Sequence, residues 1–184
     1  MAFPVPTELV EAAKEGGSAQ IERLLEAIWP EAYRLARAIV GERQGAEDAA
    51  QEACIVLYRT IASLRSAAAF RVWFYRIVVR EASELRRRRS RNEPAPAIAP
   101  NTADHTASID LWDALAALPP HLRDVVVLRY FEDLSSREIG SVLRIPDGTV
   151  RFRLMMARRR LRPLLGDDPD RATRAIREAT PNAI

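Results

Sequence analysis

Between Leu134 and Leu165 the chain reads LSSREIGSVLRIPDGTVRFRLMMARRRLRPLL, and this stretch constrains the fold more than any other. Ser135 or Ser136 can accept a hydrogen bond from an orphan amide of a helix starting there, Glu138 stands in the opening turn, and Ile139, Val142 and Leu143 form one apolar stripe. Arg144-Ile145-Pro146 ends that helix. Proline disfavours helical backbone at the residue before it but suits the first turn of a helix, so a second helix is predicted to open at Pro146-Asp147-Gly148-Thr149. Val150, Leu154, Ala157, Leu161 and Leu164 recur every three or four residues as its buried seam, leaving Phe152, Arg153, Met156, Arg159 and Arg160 pointing outward. This second helix carries six arginines and no acid after Asp147.

Two short helices joined by a tight turn, the second one basic, make a helix-turn-helix. In such a unit the second helix lies in the major groove of DNA, its first residues reach base edges, and flanking arginines hold phosphates. Thr149, Arg151, Phe152 and Arg153 occupy those positions. On this stretch alone a second reading stays open, a solvated arginine-rich helix at the edge of an ordinary bundle.

The distribution of charge bears on that choice. The formal net charge is only +3, but Lys14 is the sole lysine, and the arginines gather at 86–91 and 151–162 while the first thirty residues lean acidic. Local anionic contacts follow, and arginine suits phosphate and guanine better than lysine does. Cys54 is the only cysteine, which excludes an intrachain disulfide and a cysteine-rich zinc site; its place in an apolar helical stretch marks it as a small core residue. No run approaches the length of a membrane span and the first residues do not form a secretory leader, so a cytoplasmic protein without membrane insertion is expected.

At 184 residues and 48% hydrophobic the chain has material for one or two small cores, and its periodicity is helical throughout. The expected fold is all-α: two small helical domains joined by a flexible proline-rich linker, the second ending in the helix-turn-helix. A short helix capped by Thr7 precedes Gly16-Gly17, and residues 1–17 are read as an extension. The first domain spans 18–91. In it Ile21, Leu24, Leu25 and Ile28 form one face, and Pro30 either kinks the helix or opens the next, which stops at Gly41. Gly45-Ala46-Glu47-Asp48 opens another helix, with Ala49, Ala53, Val56, Leu57, Ile61 and Leu64 facing inward and Glu47, Asp48, Gln51, Glu52 and Arg59 outward. After Arg65-Ser66-Ala67-Ala68-Ala69 comes FRVWFYRIVVREASELRRRRSR, whose inward face is Phe70, Trp73, Phe74, Ile77 and Val78. Aromatic residues followed by arginines also suit single-stranded nucleic acid, where bases stack on rings while the backbone tracks positive charge.

Residues 92–108, NEPAPAIAPNTADHTAS, cannot form a packed helix and are expected to be the linker. The second domain spans 109–165, with Leu111, Leu115 and Leu118 on one face, and 166–184 is a polar tail. His105 and His121 have no neighbouring ligands in the sequence, and no glycine-rich phosphate loop or nucleophile elbow occurs. Neither an enzyme nor a cofactor is expected.

Taken together, LLEAIWPEAYRLARAIV, AEDAAQEACIVLYRTIASL and FRVWFYRIVV, followed by ALAALPPHLRDVVVLRYFEDLSSREIGSVLRIPDGTVRFRLMMARRRLR, resemble the two domains of the extracytoplasmic-function group of bacterial RNA polymerase sigma factors, over roughly residues 18–165. The resemblance implies that Asp48, Gln51 and Glu52 meet core RNA polymerase. It implies that Arg65, Ser66, Trp73, Arg76 and Arg80 melt and hold the minus-ten element of promoter DNA. It implies that Ser136, Arg137, Thr149, Arg151, Phe152, Arg153, Met155, Met156 and Arg160 read the minus-thirty-five element, and that an anti-sigma factor is a further partner. The chain departs from the family pattern at Arg80, Glu81 and Arg144, and at Phe152, Met155 and Met156, which replace mostly polar or basic positions. The competing function is a stand-alone helix-turn-helix transcription regulator with a helical sensor domain, which binds its duplex unaided.

Overall fold

Eight α-helices and two short 3-10 turns account for the regular structure of the computed structural model, which describes residues 3–92 and 111–165; no strand occurs among the described residues. The anticipated linker lies outside them apart from Asn92, where a helix ends, and so does the tail.

The first unit comprises α1 (Thr7–Lys14), α2 (Ser18–Val40), α3 (Arg43–Thr60) and α4 (Phe70–Asn92). Leu24, Ile28, Leu35 and Ile39 of α2, Ala46, Ala49, Ala50, Ala53 and Leu57 of α3, and Phe70, Phe74, Ile77 and Val78 of α4 are buried as one core. The run of alanines on α3 is what lets it lie close against its neighbours. Pro30 falls inside α2, which continues to Val40 and stops at Gly41, a left-handed residue with φ 94°. The helix α3 begins two residues before the predicted start because Glu42 caps it, accepting from the Gly45 amide at 2.9 Å. A Cβ at Gly45 would crowd the Glu42 carboxylate, the tip of Arg89 of α4 and the Val40 side chain, so the small residue suits that close approach. The extension also belongs to this core, since Val5, Val10 and Ala13 are buried and Phe3 meets the rings of Phe70 and Tyr75 edge-on at 5.9 and 5.7 Å.

The second unit comprises α5 (Leu111–Ala116), α6 (Pro120–Tyr130), α7 (Ser136–Leu143) and α8 (Asp147–Leu165). Leu115, Leu118, Leu122, Val125, Val126, Leu128, Leu134, Ile139, Val142, Val150, Leu154, Ala157 and Leu161 are buried in it. The side chains of Leu111 and Leu164, assigned to the same faces, lie outside the described residues. Arg123 is buried too. Its guanidinium donates to the carbonyls of Leu115 (2.8 Å), Ala116 (2.5 Å) and Leu118 (3.3 Å), at and just beyond the end of α5, where carbonyls lack helical partners.

The two units pack against one another through α4 with α7 and α2 with α6. That is why Tyr75, Val79 and Ala82 are buried in addition to the predicted inward face of α4: a second side of this helix is covered.

Candidate nucleic-acid interface

The helix-turn-helix is built from local chemistry. Ser135 and Glu138 form a reciprocal capping box at the start of α7, the Ser135 hydroxyl accepting from the Glu138 amide at 3.2 Å and the Glu138 carboxylate accepting from the Ser135 amide at 2.8 Å. At the other end Arg144 turns left-handed with φ 55°, and the Ile145 amide donates to the Gly140 carbonyl at 3.0 Å. A Cβ on Gly140 would stand 2.7 Å from the Ile145 carbonyl oxygen, so only glycine allows the turn to fold back so tightly.

The predicted recognition residues divide into two rows along α8. Arg151, Phe152 and Met155 are exposed, Phe152 at 58% and Met155 at 55%, and Arg159 continues their row. Thr149, Arg153 and Met156 are half-buried on the opposite flank, and Met156 packs against the core. Helical spacing alone sets the two methionines at similar angles from the seam; the helices packed beside α8 cover one flank only. Met156, assigned above to the outward face, is therefore corrected to a partly covered residue. Arg160 and Arg137 are exposed and Ser136 is half-buried. Asp147 accepts from Arg151 at 2.7 Å, while Arg158 turns back to the Tyr130 hydroxyl at 2.8 Å and lies over its ring.

On the first unit, Arg65 and Ser66 are exposed in the turn before α4, and the Ala67 amide that follows donates to the Glu11 carboxylate at 3.1 Å. Trp73 is half-buried with its ring 6.0 Å from that of Phe70. Arg80 is open to solvent, but Arg76 donates to the Ser141 carbonyl of α7 at 2.9 Å, so the structure commits it to the second unit. On α3, Asp48, Gln51 and Glu52 are exposed side by side, continued along the same face by half-buried Ile55 and by Tyr58, which is 60% exposed. Arg89 sits 3.7 Å from Asp48 and also pairs with Glu42.

A second polar group was not visible in the sequence. The Phe131–Leu134 segment between α6 and α7 enters the gap between α2 and α4, with Glu132 buried. Arg34 stands 3.0 Å from its carboxylate and also pairs with Glu31, while Arg71 donates to the Glu132 carbonyl. Burial raises the Glu132 carboxyl to about 7 against the attraction of Arg34, and the Tyr75 phenol bonded to it is pushed well above its ordinary range. Nothing in FEDL distinguishes such a glutamate from a solvated one, because Arg34 lies 98 residues away and Arg71 61.

Residues 24–92 match the Sigma-70 region 2 family and residues 108–161 the Sigma-70 region 4 family. The chain is 36% identical over 146 residues to the ECF RNA polymerase sigma factor SigE of Mycolicibacterium smegmatis, covering 72% of this chain and 56% of that protein. It is 30% identical over 182 residues to the RNA polymerase sigma-H factor of Pseudomonas aeruginosa, covering 86% of this chain and 94% of the relative. Two solved structures share the fold at 22% identity. The complex of CnrH with the cytosolic domain of CnrY matches with a TM-score of 0.67, over 86% of this chain and 96% of that one. The complex of the sigma factor RpoE with the anti-sigma factor NepR from Bartonella quintana matches with a TM-score of 0.65, over 80% and 97%. A region 2 unit followed by a region 4 unit, on this fold and at this similarity, places the chain in the extracytoplasmic-function group of RNA polymerase sigma factors.

Proposed function

We propose that the chain is a transcription initiation factor, without catalytic activity of its own, that binds core RNA polymerase in the cytoplasm and carries it to particular promoters. The observation that supports this best is the pairing, in one chain, of an aromatic and arginine-rich helix with a helix-turn-helix whose exposed row is Arg151, Phe152, Met155 and Arg159. The first offers rings and cations to an opened strand, the second a face for duplex. Arg65, Ser66, Trp73 and Arg80, with Arg76 once released, would hold the minus-ten element; Ser136, Arg137, Thr149, Arg151, Phe152, Arg153, Met155, Met156 by its uncovered side, and Arg160 would meet the minus-thirty-five element. Asp48, Gln51 and Glu52 would meet core polymerase, their charge complementing a basic partner surface and Tyr58 adding an apolar contact next to them. Both similar structures are complexes, one with the anti-sigma factor NepR and one with the cytosolic domain of CnrY, which supports an anti-sigma factor as a partner here as well.

The polymerase contact is tested by the affinity of Asp48→Arg and Glu52→Arg for core polymerase, with helicity monitored. Both are expected to lose at least tenfold, which is about 1.4 kcal/mol. Wild-type affinity in both, with the fold intact, would remove the site.

A further inference from the structure

The turn that follows Arg65 and Ser66 is anchored from outside itself. It is the 3-10 turn Ala67–Ala69, and Ser66 before it, extended at φ −147° and ψ 132°, makes no side-chain cap. Elsewhere capping is local: Glu42 serves α3 and Ser135 serves α7. Here the Ala67 amide donates to Oε1 of Glu11, 56 residues upstream, at 3.1 Å, while Lys14 donates to Oε2 of the same carboxylate at 2.8 Å and so aims it. The segment before α1 reaches the far end of the turn, where Phe3 meets the ring of Phe70 edge-on at 5.9 Å. Val10 and Ala13 of α1 are buried in the same core as Ala67. The promoter reading gives none of these N-terminal residues a part.

We propose that α1 is a brace for the minus-ten contact, with Glu11 a positioning residue that acts through the Ala67 amide on Arg65 and Ser66. The inference rests on the reading of Arg65 and Ser66 as minus-ten contacts. A base that leaves the stack needs a place already shaped for it, because ordering a loop during binding subtracts from affinity and blurs the choice between bases. A three-residue turn, closed by the Ala69 amide on the Ser66 carbonyl at 3.0 Å, is too short to hold its shape alone. Glu11 supplies the anchor, and it does so in place of Ser66. A serine before a helical turn ordinarily commits its hydroxyl to an amide of that turn; here the hydroxyl is not so committed, and it stands exposed beside Arg65.

The test is a promoter library randomised in both elements and transcribed by core RNA polymerase with the full chain. Glu11→Ala is expected to relax base preference at one or two minus-ten positions by about fivefold, the effect of one hydrogen bond. The minus-thirty-five profile and the affinity for core polymerase should stay as in the wild type. Glu11→Gln, which keeps an oxygen for the Ala67 amide, should keep the wild-type minus-ten profile. An unchanged minus-ten profile in Glu11→Ala would overturn the brace, and so would a uniform loss at both elements with a lower melting temperature, which a merely structural role produces. Ser66→Ala separates this from the underlying reading. If Ser66→Ala shifts the minus-ten profile and Glu11→Ala does not, the brace alone fails; if neither shifts it, the minus-ten reading fails and the brace with it. Should Glu11→Ala not fold, Glu11→Asp decides, since it keeps the charge but draws the oxygens back from Ala67: the same relaxation is expected, and a wild-type profile overturns the proposal.

Discussion

Phe152 has no packing reason to stand where it does. It lies almost opposite Val150 and Leu154, both buried, and an aromatic ring left 58% exposed gains nothing in a free domain. In a major groove the apolar group available to it is the thymine methyl, whereas Arg151 beside it suits guanine or phosphate. Replacing Phe152 by serine is expected to relax preference at one or two thymine-bearing positions of the minus-thirty-five element by roughly 1 kcal/mol, with the salt dependence of binding nearly unchanged because no phosphate contact is lost. A promoter library transcribed with both proteins reads this directly. An unchanged base profile, or a uniform loss with a lower melting temperature, would show the ring to have another role. Met155 shares this row, and Met156 shows how far spacing carries such an argument: the seam set Met156 outward and gave Met155 no side, and the neighbouring helices cover Met156 in part while leaving Met155 exposed.

At the scale of elements, the helices were largely legible, because each had a local cause. The seam of α8, the stop at Arg144-Ile145-Pro146 and the cap at Ser135 all depend on residues within one or two turns of each other. Helix α2 was harder to bound, since Pro30 signals a break that burial of Ile28, Ala32 and Leu35 on either side overrides. The Phe131–Leu134 segment was not legible at all: its Glu132 is defined by Glu31 and Arg34 of α2, by Arg71 and Tyr75 of α4, and by Asp133 beside it, none of which spacing can bring together. This segment makes the contact between the two units depend on pH. Burial against α2 and α4 raises the Glu132 carboxyl to about 7, so the packed units hold a proton that a solvated Glu132, at an ordinary 4.5, has released. The contact is therefore strongest below that ordinary value, weakens as pH rises toward about 7, and is constant above. The wild-type melting temperature, measured relative to that of Glu132→Gln, is expected to fall between those limits. A flat difference, or one that rises with pH, would contradict this account.

The whole molecule is two helical units of the sigma-factor type, and the sequence showed both units but not how they meet. Region 2 and region 4 features are local runs; the contact of α4 with α7 depends on single arginines spaced along α4 and on carbonyls that carry no side-chain signature. Function at this scale depends on the two units acting on one promoter at once, which the regulator reading does not require. The most direct measurement is transcription from a promoter library by core RNA polymerase, with and without the chain, with start sites mapped. Discrete starts that appear only when the chain and core polymerase are both present, each preceded by a shared pair of upstream elements, are the predicted result. Tight, specific binding of duplex by the chain alone, with no new start sites on adding it to core polymerase, would contradict it.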